Sequence, residues 1–439
     1  MFKNVIMWIL NNVFHIKTQT TSKEIEDNEK YANVYEQIDS INFNAIFSNK
    51  LANYTINDSN MDIIGDNKRV ELLNKTGQSM WKKAKKITSM ALGYGGVVIV
   101  PYAKGGKLYY DLVPQNRLTI DEVDGDIIKG ATILAEKRKV QVGNGTKTYI
   151  RWANYQIKNN NLTILQQYSD DKGNKIEAPS FWKNITESIT ISGVEKVTIG
   201  YFKSPVNNRS ANDKYGVPIT FGCDDTINEI KETLKQIARE YDLKQAFVGV
   251  DFTLFGKDGN LPSDGLFKKF DMENNDYFVY DPAFRPYWDR LQELYKRLEH
   301  EIGTSGGIIS EVETANATAT EIKRSMYDTF SLVDDIRTNM EQAMYDFFDA
   351  CDVIANAYNL TPAGDYEVKF NWSYSLLEDS ETEFQHMVLG ESKGVIDKVE
   401  LRQWIKPDES LEEAEKKIEE IKEKNPSVQD LLGTKEDEE

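Results

Sequence analysis

The sequence predicts an α+β fold, and three observations carry that expectation. Helical hydrophobic spacing fills most of the first ninety residues and most of the chain beyond residue 220. Between them, residues 91–200 alternate short β-branched runs with Gly, Asn and Asp turns, the pattern of an antiparallel sheet. Finally, neither Gly nor Pro interrupts the helical spacing between Thr318 and Thr361, so one very long helix is expected there.

Composition sets the outer limits. A chain of 439 residues, 40% of them hydrophobic, is long enough for two to four domains with a sizeable core. Its net charge of −18 argues against tight sequence-independent DNA binding, which Lys and Arg drive by displacing counterions from phosphates. Cys223 and Cys351 cannot build a disulfide framework, and His15, His300 and His386 lack zinc-ligand spacing, so neither a metal nor a cofactor is expected. No run of about 18 apolar residues is present. Met1 to Phe14 has helical spacing at Phe2, Val5, Ile6, Ile9, Leu10 and Val13, and Asn11 and Asn12 make a poor cleavage site; an amphipathic helix lying on the protein is expected rather than a signal peptide.

In chain order, residues 15–90 read as mainly helical, closing with a basic helix from Met80 to Ile87 whose four lysines are taken as a solvated face. Gly93, Gly95 and Gly96 form a hinge into a strand. No Gly-Lys-Ser/Thr follows them and a strand succeeds them, which excludes a phosphate loop. Hairpin turns are expected at Lys104-Gly105-Gly106-Lys107, Val123-Asp124-Gly125-Asp126 and Gly143-Asn144-Gly145.

Beyond Phe221, Thr226 and Glu229 have capping-box spacing, and Ile227, Ile230, Leu234, Ile237 and Tyr241 form a narrow seam. Asp224 and Asp225 are read as acids that favour a helix start. Residues 248–285 read as a small β module. A second seam helix follows at Pro286–Ile302 with Trp288, Leu291, Tyr295, Leu298 and Ile302 in register, and then a polar, Gly-rich segment expected to be mobile. Thr318 with Glu321 is expected to cap the long helix, where forty residues would span roughly 60 Å. Its methionines and Phe347–Phe348 are read as core. A strand at Tyr366–Trp372, a capping box at Ser380–Glu383, a short helix after Gly394-Val395-Ile396 and a helix at Glu412–Lys424 complete the pattern. Residues 408–439 carry 13 acids against 5 bases and read as an acidic tail.

Three stretches, in this order, resemble the portal proteins of tailed bacteriophages, of the type found in phages and prophages of Gram-positive bacteria. The first is Ala91-Leu92-Gly93-Tyr94-Gly95-Gly96 running into a strand and Val113-Pro114-Gln115-Asn116-Arg117; the second is Thr318-Ala319-Thr320-Glu321-Ile322. The third combines Phe370-Asn371-Trp372, Glu378-Asp379-Ser380, Gly394-Val395-Ile396 and Glu412-Glu413-Ala414. The resemblance implies a wing at 1–220 completed by a strand at 366–374, stem helices at 221–247 and 286–302, and a clip at 248–285. It also implies a tunnel loop at 303–317, the long helix at 318–360, a wing strand and following helices at 361–405, and a crown helix with acidic tail at 406–439.

Such proteins act mechanically, as a ring of usually twelve subunits at one capsid vertex through which double-stranded DNA enters and leaves. The implied partners are the terminase large subunit, head-to-tail adaptor, major capsid and scaffolding proteins, with no membrane; the implied location is the virion, after assembly in the host cytoplasm. Lys231, Lys235, Arg239, Thr304, Ser305, Ser310, Glu313 and Asn316 are the candidate channel residues, and Asp258, Asn260 and Asp264 the candidate clip contacts. The weak charge of residues 224–246, six acids and four bases, suits a wall that DNA slides past. Two other readings compete. An enzyme using Asp224, Asp225, Asp334 and Asp335 lacks a nucleophile, His or phosphate loop beside them, and a scaffold or coiled-coil adaptor would lack the β-rich body.

Overall fold

A single strand, β2 (Gly96–Lys104), divides the two hydrophobic cores of the larger part of the chain. Successive side chains on a strand point to opposite faces, so Val97 and Ile99 enter one core while Val98 and Val100 enter the other. The computed structural model describes residues 21–38, 40–143, 145–209, 214–242, 247–248, 277–278, 284–311, 326–373, 387–406 and 411–424. The chain divides into two units, 1–373 and 374–439.

On the first face of β2 lie the helices α2 (Phe43–Ile56), α3 (Lys68–Trp81) and α4 (Ala84–Tyr94), and α1 (Ser22–Glu36) joins α4 through the Tyr35–Ser89 hydroxyl contact at 2.8 Å. Thr21 and Glu24 close a capping box on α1 that the sequence reading missed. The expected basic helix over 80–87 is broken instead: α3 ends at Trp81 and α4 begins at Ala84. The break lets Met80, Ala84 and Ile87 all become fully buried while the four lysines stay exposed, as a solvated face requires. Gly95 ends α4 in the left-handed conformation (φ 88°), where a Cβ would lie 2.6 Å from the Gly216 carbonyl oxygen. The glycine hinge is thus a helix stop and a close backbone crossing.

The opposite face of β2 belongs to the β-rich body. β2 pairs antiparallel with β3 (Lys107–Pro114) on one side and β9 (Gly200–Lys203) on the other. Above it lies a five-stranded antiparallel sheet of β4 (Leu118–Asp124), β5 (Ile127–Val142), β6 (Gly145–Lys158), β7 (Asn161–Asp170) and β8 (Ser188–Ser192), in sequential order. Hairpins fall at 124–127 and 142–145 as the turn residues predict. A third, between β6 and β7, uses Asn159 and Asn160, both at positive φ. Inside this body Asp121 is buried with its Oδ2 accepting from Thr132 Oγ1 at 2.6 Å, and Asn154 Nδ2 donates to that same hydroxyl at 2.8 Å.

The long helix, α7 (Tyr327–Ala357), has 31 described residues, roughly 46 Å. Its expected start and cap at Thr318 and Glu321 lie outside the described residues. Val333, Ile336, Met340, Met344, Phe347, Phe348 and Cys351 are all fully buried, so Met340, Met344, Phe347 and Phe348 are core, while Met326, just before the helix, is half-buried. β9 crosses α7 at Gly200, where a Cβ would meet the Ala343 carbonyl oxygen at 2.4 Å; only glycine allows that approach. After α7 the chain forms β12 (Glu367–Asn371), which pairs antiparallel with β1 (Asn60–Ile64), a strand that sequence spacing did not reveal.

Arg69, fully buried on α3, locks this return. Its Nε donates to Thr361 Oγ1 (2.9 Å), one terminal nitrogen to the Asp352 carbonyl (3.2 Å) and carboxylate, and the other to Asn356 Oδ1 and the Thr361 carbonyl (both 2.8 Å). All five guanidinium N–H groups thereby have acceptors.

In the second unit, residues 387–392 are helical, Asp397 and Glu400 form a capping box on α8 (Lys398–Ile405), and α9 spans Leu411–Lys424. The capping box expected at Ser380–Glu383 lies outside the described residues, as does Met1 to Phe14.

Two stability measurements follow. Arg69→Met leaves the Asp352 carboxylate and the Asn356 and Thr361 acceptors without their buried donor, and a loss of about 3 kcal/mol in denaturant unfolding is expected. Burial pushes the Asp121 carboxyl from 3.8 up to about 7, against the opposing pulls of Thr132 and Lys214. The folded chain therefore holds a proton that the unfolded chain releases between about pH 4 and 7, so this group lowers stability as pH rises through that window. Asp121→Asn keeps an acceptor for Thr132 without the charge; its melting temperature relative to wild type should rise from pH 4 to pH 8.

Candidate functional site

The two seam helices meet as an antiparallel pair. α5 (Asp224–Asp242) and α6 (Phe284–Ile302) are strongly amphipathic, and Ile230, Leu291, Leu294, Leu298 and Ile302 are buried where they join the helical core. Ile227, Leu234, Ile237 and Tyr295 pack partly buried beside them. Trp288, expected on the seam, is 46% exposed: it lies in the first turns of α6, beyond the well-buried stretch. Thr226 does not cap α5, because the helix already starts at Asp224. Buried at 1% exposure, Thr226 instead hydrogen-bonds Glu301 Oε1 across the pair at 2.9 Å.

Glu229, opposite, lies 3.5 Å from Arg290 and 3.7 Å from Arg297. Both arginines are about half exposed, so these pairs set register more than stability. Beyond the two helices, β10 (Phe247–Val248) pairs antiparallel with β11 (Tyr277–Phe278). Most of the 248–285 insert, with Asp258, Asn260 and Asp264, lies outside the described residues.

Of the candidate channel residues, Lys231, Lys235 and Arg239 recur every fourth position on α5 and so share one face. Lys231 is half-buried; Lys235 and Arg239 are exposed. Lys235 donates to Glu232 Oε1 at 2.7 Å, a contact that lowers the pKa of the Glu232 carboxyl.

The candidates after α6 are placed differently. Thr304, Ser305 and Ser310 are buried inside the chain, so none offers its hydroxyl to the subunit surface; Glu313 and Asn316 lie outside the described residues. The physical reason is Glu299, fully buried on the last turn of α6. Its Oε1 accepts from the backbone N–H of Ile309 (2.5 Å) and Ser310 (3.0 Å), while Oε2 accepts from the N–H of Gly307 (3.2 Å) and the Ser310 hydroxyl (2.5 Å). Its carbonyl takes the Thr304 N–H and hydroxyl. Ser305 and Thr329 then bond each other through N–H and hydroxyl groups in both directions, joining the segment to the first turn of α7. Lys50 donates to the Ile308 carbonyl, and the Glu311 N–H donates to Gln292 Oε1 at 2.9 Å. Residues 303–311 are therefore fastened to α6 at many points, in place of the mobile loop that their Gly and Ser content suggests. Nothing in composition marks Glu299 out; its one sequence signal is a carboxylate one turn before a Gly-Thr-Ser-Gly-Gly run able to offer converging N–H groups.

Among the described residues, Asp224 and Asp334, both weighed for catalysis, are held in separate ion pairs. Asp224 is 72% exposed and 3.5 Å from Lys30, Asp334 lies 3.7 Å from Arg337, and no group of three potential metal ligands occurs among the described residues. Burial, helped by Glu301 and Asp224, pushes the Cys223 thiol up to about 12, and burial also raises Cys351, so both thiols are held protonated.

Glu299→Gln converts one buried acceptor into a donor facing the backbone amides. We expect a loss of about 2 kcal/mol and faster hydrogen exchange at Gly307, Ile309 and Ser310, read by mass spectrometry; Glu229→Gln should change stability by less than about 1 kcal/mol.

Comparison with known proteins agrees with the resemblance read from the sequence. No curated protein matches the chain. Residues 267–424, which include α6, the Glu299-bound segment, α7, β12, α8 and α9, match the family model for phage portal proteins of the SPP1 Gp6-like kind, a structural and non-enzymatic family. Over residues 267–424 the chain is thus similar to phage portal proteins of the SPP1 Gp6-like kind.

Proposed function

We propose that copies of this chain assemble, twelve to a ring, at one capsid vertex, and that double-stranded DNA passes through the central hole during packaging and ejection. The observation that carries this reading is the match over residues 267–424 falling on a helix, α6, that pairs with α5 through one narrow apolar seam. Such a pair keeps polar flanks available for a channel wall, and the mixed charge of α5 keeps phosphate contacts weak enough for DNA to slide.

In this reading Lys231, Lys235 and Arg239 face the channel, and the insert at 248–285 meets first the terminase large subunit and later the head-to-tail adaptor. Major capsid and scaffolding proteins surround the ring. Glu299 fastens residues 303–311 back onto α6, so in this reading they form part of the stem.

Electron microscopy and light scattering of the purified chain test the proposal. A symmetric ring with a central hole and a mass of about 600 kDa, twelve chains of 50.3 kDa, is expected. A reconstruction that placed α5 on the outside of the ring would remove Lys231, Lys235 and Arg239 from the channel. A particle without a hole, even when co-expressed with capsid partners, would overturn the function.

A further inference from the structure

The lysines around the α3–α4 corner have a setting that the channel reading does not use. From Leu72 to Tyr110, 39 residues contain no Asp or Glu, in a chain that carries 71 of them. The same stretch holds seven lysines. Five of these, Lys75, Lys82, Lys83, Lys85 and Lys86, lie on α3, the break and the first turn of α4, and all are exposed. Lys104 and Lys107 flank the tip of the β2–β3 hairpin and are also exposed.

Tertiary contacts join the two groups. Tyr110 on β3 donates its hydroxyl to the Ser79 carbonyl on α3 at 3.1 Å, and the Lys83 ammonium sits 5.1 Å from the centre of the Tyr110 ring. The hairpin therefore rests on the helix corner. Among the described residues, none of the seven lysines forms an ion pair with a carboxylate. In so acidic a protein, a surface built from a stretch that has seven lysines and no acid of its own, none of the lysines ion-paired, is set up for an anion from outside the chain.

We propose that this corner binds the sugar–phosphate backbone of duplex DNA, at a surface separate from α5 and α6. The absence of apolar groups favours nucleic acid over an acidic protein. No large aliphatic side chain is exposed between Ile64 and Tyr102, whereas protein interfaces have an apolar core and are depleted in Lys. The exposed aromatics here are Tyr102 and Tyr109, stacked with ring centres 5.8 Å apart beside Lys104 and Lys107. Lysines spread over a helix corner and a hairpin give point-charge contacts to phosphates without reading sequence. The net charge of −18 confines binding to this surface and makes it strongly salt-dependent.

The test is fluorescence anisotropy of a labelled duplex of about 30 base pairs with the full chain, over about 50 to 200 mM salt. K82Q/K83Q/K85Q/K86Q removes four contacts, and the slope of log affinity against log salt should fall in magnitude by about 3 to 4. K104Q/K107Q, on a separate element, should lower it by about half as much. A charge-matched control, K139Q/K147Q/K158Q/K172Q, should leave the slope near wild type. All the substituted lysines are exposed, and unchanged melting temperatures confirm that the variants fold.

Equal losses in patch and control variants would reduce the effect to net charge and overturn the proposal. So would an unchanged slope in both patch variants, or a patch variant that keeps DNA but loses binding of a polyglutamate probe, which would assign the surface to an acidic protein. Ring formation is read separately, so failure here is distinguishable from failure of the channel reading.

Discussion

The burial of α7 is the constraint on which the remaining architecture depends. Its inner face is sealed along nearly five turns, from Val333 to Cys351, by the helices of the N-terminal region on one side and β9 on the other. Close-packed cores tolerate little change of volume, and here the limit reaches the backbone: Gly200 brings β9 so near Ala343 that a single methyl group has no room. Everything attached to α7 inherits its position. Arg69 fixes the chain as it leaves the C-terminal end, and Ser305–Thr329 fixes the segment that arrives at the N-terminal end.

That arrangement links the elements on either side of residues 303–311. The α5–α6 pair shares its core with α7, and the Glu299 carboxylate ties the segment after α6 back onto α6 itself. A buried carboxylate surrounded by three backbone N–H groups and a hydroxyl is costly to disrupt, because every partner would be left unsatisfied at once. Hydrogen bonds thereby run from α6 to residues 303–311 and through Ser305 to α7.

Electrostatics divide the subunit in a way that its net charge conceals. Acidic side chains are numerous overall, yet the α3–α4 corner and the tip of the β2–β3 hairpin, Tyr102 to Tyr110, carry only cations. α5, by contrast, mixes both signs, with Lys235 already held by Glu232 and Glu229 facing two arginines. Paired charges such as those on α5 and unpaired ones such as those at the corner differ in what they offer a polyanion, since only free cations release counterions on meeting phosphate.

Periodicity determined much of this protein. The long helix, the two seam helices, the hairpins at Gly125 and Gly143 and the exposed lysine run were all legible, because 3.6- and 2-residue spacing and turn chemistry act over a few residues. The order of short motifs also pointed to the portal resemblance. What only tertiary structure decided depends on burial and on partners outside the local spacing. β1 pairs with a strand more than 300 residues away; Thr226 bonds Glu301 instead of capping its helix. Lys82 and Lys83 break a helix so that Met80 and Ala84 can both be buried. Residues 303–311 read as mobile because Gly and Ser favour freedom locally, yet one buried carboxylate, Glu299, supplies acceptors that outweigh it. Local sequence records what a segment can do alone; burial against the rest of the chain selects which of those options is used.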